Sequence, residues 1–116
     1  MADGILDTEI LADLLDALGE EDTRDIAEIF VSNSQLVLDQ LHSALEAEAR
    51  DEYLRHAHSM KGAASAVGAD ALSELASRAQ ENAETAALAE LATWVQEMTA
   101  LREKSIVAIN ELLSDA

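Results

Sequence analysis

Tyr53-Leu54-Arg55-His56-Ala57-His58-Ser59-Met60-Lys61-Gly62-Ala63-Ala64-Ser65-Ala66-Val67-Gly68-Ala69 contains none of the chain's 24 acidic residues and two of its seven basic ones, Arg55 and Lys61. Projected at about 100° per residue, it places Tyr53, Ala57, Met60, Ala64 and Val67 on one side of a helix. That apolar stripe faces a core. His58 projects roughly opposite it, beside Leu54, Arg55, Lys61, Gly62, Ser65 and Ala66. A histidine that merely completes a core would lie on the stripe, and His58 does not.

The same periodicity runs outward in both directions. Ile10, Leu11, Leu14, Leu15 and Leu18 form a short first helix, with Asp7 as N-cap, Leu6 and Leu11 as its hydrophobic staple, and Gly19 as its stop. Glu20 to Asp22 read as a turn, after which Asp22 or Thr23 caps a second helix. Its stripe is Ile26, Ile29, Phe30, Val37, Leu41 and Leu45, ending near Ala49. Asp51 can cap the third helix, which reaches Gly68. A fourth starts near Asp70, carries Leu72, Leu75, Ala76 and Ala79, and fades between Ala83 and Thr85. The last carries Leu88, Leu91, Val95, Met98, Leu101, Val107 and Leu112. Connections this short make consecutive helices antiparallel neighbours. The fold class expected is all-α, an up-and-down antiparallel four-helix bundle with a short additional N-terminal helix, and residues 1–116 form one domain.

Composition agrees. The 116 residues hold no proline and no cysteine, with 49% hydrophobic residues. Absence of cysteine excludes disulfides, thiolate metal sites and a cysteine nucleophile. No stretch approaches the ~20 apolar residues of a membrane span, and the first residues lack a signal-peptide pattern, so a cytoplasmic protein is expected. A formal charge of −17 disfavours binding to nucleic acid or an anionic membrane. Two passive readings fit that charge: an acidic helical adaptor, and a mimic of nucleic acid. Neither explains why residues 53–69 are free of acids.

Within that helix, His56 and His58 are separated by about 200° and cannot chelate one metal. No metal site is expected. His56 falls nearer the apolar stripe, at the boundary of the core, and His42 on the second helix is a surface residue. Gly62 is the second informative position, because glycine inside a helix costs about 1 kcal/mol relative to alanine. It does not end the helix, since the stripe continues to Val67. One turn from His58, it leaves room for another molecule to approach the imidazole, and Ser65 extends that low surface. Lys61 puts a cation on the flank. An imidazole is a competent nucleophile near neutral pH, and no nucleotide-binding loop is visible that could supply ATP chemistry.

His58-Ser59-Met60-Lys61-Gly62, followed by a run of small residues and Gly68-Ala69, resembles the signature of histidine-containing phosphotransfer (HPt) domains. The resemblance covers essentially the whole chain, and it implies a phosphorelay carrier without kinase activity of its own. It implies that His58 is phosphorylated on Nε2, that Lys61 supports the phosphate, and that Gly62 keeps the approach clear. Gln80 matches the family glutamine that orients the imidazole. The implied partners are receiver domains of a hybrid histidine kinase and a response regulator. Docking is expected over Leu54, Arg55, Gly62 and Ser65, with Ile10, Leu14 or Ile26 contributing. No intrinsic cofactor is implied; Mg²⁺ is expected to come with the receiver, and the chain is expected to be a monomer.

Overall fold

In the computed structural model, which describes residues 4–115, five helices follow one another: α1 (Thr8–Leu18), α2 (Glu20–Glu46), α3 (Arg50–Ala66), α4 (Asp70–Glu81) and α5 (Leu88–Ser114). Helices α2, α3, α4 and α5 pack in a ring, each against its neighbours in sequence and α5 back against α2, while α1 lies on α2. The up-and-down bundle is therefore as expected. The helices are unequal, however. With 27 residues each, α2 and α5 span about 40 Å at 1.5 Å per residue, nearly the full 43 Å long axis of the molecule. The 17 residues of α3 and 12 of α4 cover only part of that length.

The stripe read on the third helix is the packed face: Tyr53, Ala57, Met60, Ala64 and Val67 are all buried. The Tyr53 hydroxyl donates to the Leu91 carbonyl on α5 at 2.9 Å, and burial pushes its ionisation up. Arg50, in the first turn of α3, donates through Nη1 to the carbonyls of Ala83 and Ala86. That clasp closes the turn between α4 and α5. Asp7 caps α1 by accepting from the Glu9 amide at 3.0 Å, and Leu6 and Leu11 are both buried, as the staple requires.

Several boundaries differ from the sequence reading. Glu20, Glu21 and Asp22 are the first turn of α2, not a turn before it. Gly19, at φ +89°, ends α1 and begins α2 in one residue. Thr23 is no cap; it is buried, and its hydroxyl donates back to the Gly19 carbonyl at 2.8 Å. At the other end α2 stops at Glu46. The Ala49 amide donates to the Ala44 carbonyl and the Glu48 amide to that of Leu45, a Schellman closure that places Glu48 at φ +52°. Asp51 does not cap α3; Ala49 stands at the cap and Asp51 within the first turn. The third helix ends at Ala66, with a second Schellman closure through Gly68.

Four of the apolar residues read at helical spacing are outside the core, Ile10 and Leu18 on α1 among them. Ile29 on α2 is 58% exposed and Val107 on α5 is 57% exposed. Conversely, Arg102 on α5 is buried at 6% exposure. Its Nε donates to Ser34 Oγ at 2.6 Å and its Nη2 to the Val31 carbonyl at 2.8 Å, both on α2. Glu103 takes Nη1 at 2.9 Å. The buried guanidinium is thereby hydrogen-bonded, as a buried charge must be.

Candidate functional site

His58 sits in the middle of α3 on the side away from its packed stripe, and it is exposed. Antiparallel packing of α3 and α4 brings Gln80, near the end of α4, to it: His58 Nδ1 and Gln80 Oε1 are 3.3 Å apart. With the amide oxygen as acceptor, the ring carries its proton on Nδ1 and donates from there. Gln80 is half-buried, so its carboxamide comes from a supported position on the bundle.

Lys61 is half-buried. The ion pairs among the described residues are Arg24–Glu20, Arg55–Glu52 and Arg102–Glu103, so Lys61 is engaged in none of them. Arg55 flanks His58 on the other side, three residues before it as Lys61 is three after. Its guanidinium is 3.9 Å from Glu52, and its side chain is 70% exposed.

At Gly62 an added Cβ would meet nothing within 4 Å. No internal packing demands glycine there, which supports reading it as room for a partner. Ser65 is exposed but not idle: its Oγ lies 2.8 Å from Ser73 Oγ on α4. Ser73 in turn donates to the Lys61 carbonyl at 3.4 Å. The two hydroxyls bind α3 to α4 along the turn that carries Lys61, an arrangement sequence alone did not suggest.

Leu54 is half-buried and packed against the core, so it offers a partner only part of its surface. Of the apolar residues read as docking contributors, Ile10 is exposed, while Leu14 and Ile26 are half-buried against the core. His56 is half-buried and His42 exposed, as read. Sequence reasoning missed an exposed, uncharged length of α2. Residues 29–38 hold no charged side chain although 27% of the chain is charged, and Ile29 and Leu36 stand exposed two turns apart on one face of it. The missing charges were the signal that could have found it.

Among the described residues no cluster of three or more histidines and carboxylates is placed to hold a metal ion. No described helix is long and apolar enough to cross a membrane.

The family described as Hpt domain matches residues 25–104, a span that contains His58, Lys61, Gly62 and Gln80. The crystal structure of histidine-containing phosphotransfer protein B (HptB) from Pseudomonas aeruginosa PAO1 superposes with a TM-score of 0.86 over 96% of this chain and 96% of that one, at 25% sequence identity. No curated protein sequence matches the chain.

Proposed function

The chain belongs to the Hpt domain family, a family of histidine phosphotransfer carriers of phosphorelays, and from that premise we propose that His58 is the residue that carries the phosphoryl group. The observation that supports this most is the 3.3 Å approach of Gln80 Oε1 to His58 Nδ1. A proton held on Nδ1 leaves the lone pair on Nε2, the outer nitrogen. In the proposed step a receiver domain bearing a phospho-aspartate docks over α3. The Nε2 lone pair forms a bond to phosphorus as the acyl-phosphate P–O bond breaks, and the electron pair leaves with the receiver's carboxylate. The reverse step, on a second receiver, returns the ring to its starting state.

Phosphorylated on Nε2, the ring is cationic and keeps its Nδ1 proton, so the hydrogen bond to Gln80 persists through the cycle. Lys61 supplies positive charge to the phosphoryl oxygens. Gly62 leaves the surface beside the imidazole low enough for in-line approach. Mg²⁺ is assigned to the receiver that brings the phospho-aspartate, and among the described residues of this chain no cluster of three or more histidines and carboxylates is placed to hold it. Docking draws on Ile10 beside the α3–α4 turn and on the open surface at Gly62, with the uncharged length of α2 as a further apolar area for a protein partner. The chain accepts and donates the phosphoryl group and has no kinase activity of its own.

Incubation with phosphorylated receivers of one relay tests the reading. Acid-labile label should appear on the wild-type chain and be absent from His58→Gln, with the helical content of the two proteins equal. Undiminished label on His58→Gln would remove His58 from the mechanism. A chain that takes label from no receiver would be the passive acidic adaptor instead.

A further inference from the structure

The two cations three residues to either side of His58 are in different situations. Lys61 is half-buried and outside every ion pair among the described residues. Arg55 is held, but loosely: 3.9 Å separates its Nη2 from Glu52 Oε1, with the two side chains 70% and 53% exposed. Residues three apart on a helix have Cβ atoms about 5–6 Å from each other, well within the length of an arginine side chain. Helical side chains lean toward the N-terminus. The imidazole of His58 is therefore inclined toward the turn that carries Arg55, and Arg55 toward that of Glu52.

We infer that Arg55 is a second phosphoryl contact, parked on Glu52 while His58 is free and drawn to the phosphoryl oxygens once they are present. This inference rests on the reading of His58 as the phosphorylated residue. A single carboxylate charge holds the guanidinium in the resting state. The phosphoryl group offers up to two negative charges and three acceptor oxygens in a geometry that suits a planar fork. In a chain of net charge −17, the added dianion gains from a cation on each side. The Arg55–Glu52 pair is exposed, so its hold is weak and exchange requires no rearrangement of α3.

Phosphoramidate, a small phosphoryl donor, tests this without a receiver. His58 Nε2 bonds to phosphorus as the donor's P–N bond breaks, the N-protonated donor releases ammonia, and the ring keeps its Nδ1 proton. The Arg55 Nε–H signal, identified by its loss in Arg55→Lys, should shift on loading and return after acid hydrolysis of the phosphohistidine. The loading rate should fall about two- to five-fold in Arg55→Ala, the size expected of an exposed ion pair. It should be partly restored in Arg55→Lys and raised in Glu52→Gln. At about 0.5 M salt the rates should converge, which a structural role for Arg55 does not predict. An unmoved Arg55 signal on a loaded chain, with unchanged loading in Arg55→Ala, overturns the inference and leaves His58 as the carrier. Absence of label from the wild-type chain overturns both.

Discussion

Gly62 and Gly68 stand six residues apart on one sequence motif, yet they answer to different demands. Around Gly62 the helix is regular and a Cβ would enter open space. At Gly68 the backbone is left-handed at φ +77°, and a Cβ would lie 2.5 Å from the Asp7 carbonyl oxygen and 3.2 Å from the Ile10 side chain. The Asp7 amide also donates to the Gly68 carbonyl, so α1 is seated directly on this turn. One glycine serves a molecule that has yet to arrive. The other serves a helix already in place.

Substitutions separate the two. Gly68→Ala should have the largest effect on stability. Left-handed backbone costs an L-residue about 1–2 kcal/mol, and the opposing atom belongs to the main chain, which cannot swing aside. A loss of roughly 3 kcal/mol in total is expected, seen as a Tm lowered by roughly 10 °C, with amide exchange at Asp7 accelerated as α1 lifts. Loading of His58 from phosphoramidate, which needs no docked receiver, should persist when measured well below that Tm. Gly62→Trp should do the reverse, leaving Tm almost unchanged while receiver-to-His58 transfer slows by roughly ten- to a hundred-fold, equivalent to about 1.4–2.8 kcal/mol. A Gly62→Trp variant that transfers at the wild-type rate would return Gly62 to the status of an unexplained residue.

A subtler comparison is offered by Glu48, which occupies in the first Schellman turn the place that Gly68 holds in the second. It is exposed, so only its own left-handed conformation opposes the side chain. Chemical denaturation of Glu48→Gly should show a gain of about 1 kcal/mol. The smallest effect is expected from Gly62→Ala: stabilisation by about 0.5–1 kcal/mol from helix propensity alone, with transfer slowed little, because a methyl group hardly raises the surface. Destabilisation by Gly62→Ala would contradict the open space around that residue.

The face of α3 was legible because periodicity decides it: every stripe residue from Tyr53 to Val67 is buried. Periodicity could not tell how much of each helix is covered by neighbours. Ile29 and Val107 stay exposed because they project away from the packed faces of α2 and α5. At about 100° per residue Ile29 shares its face with the exposed Leu36, and Val107 lies roughly opposite the buried Met98 and Ile109. Helix starts were misread where the backbone, not a side chain, makes the junction. A single Gly19 joins α1 to α2, so Thr23 lies inside the helix, where a hydroxyl bonds back along its own turn. At the site, the pairing of His58 with Gln80 was legible from the motif and the antiparallel order of the helices. The Ser65–Ser73 link needed their register, which no local pattern states. Arg102 was invisible for another reason: a charge on a soluble helix reads as solvent-facing.

That buried arginine has a consequence for how α2 and α5 are matched. Two long helices with aliphatic stripes can be slid past each other by one turn, 5.4 Å, and still find apolar surface to cover. The guanidinium forbids it. Only in one alignment do Ser34 Oγ and the Val31 carbonyl meet Nε and Nη2. Any other leaves those two donors of a buried guanidinium without acceptors, with Glu103 alone on Nη1, which costs about 1–3 kcal/mol for each. Arg102 is thus an index pin between the two longest members of the bundle, and the spacing it fixes is inherited by the shorter pair that carries His58 and Gln80.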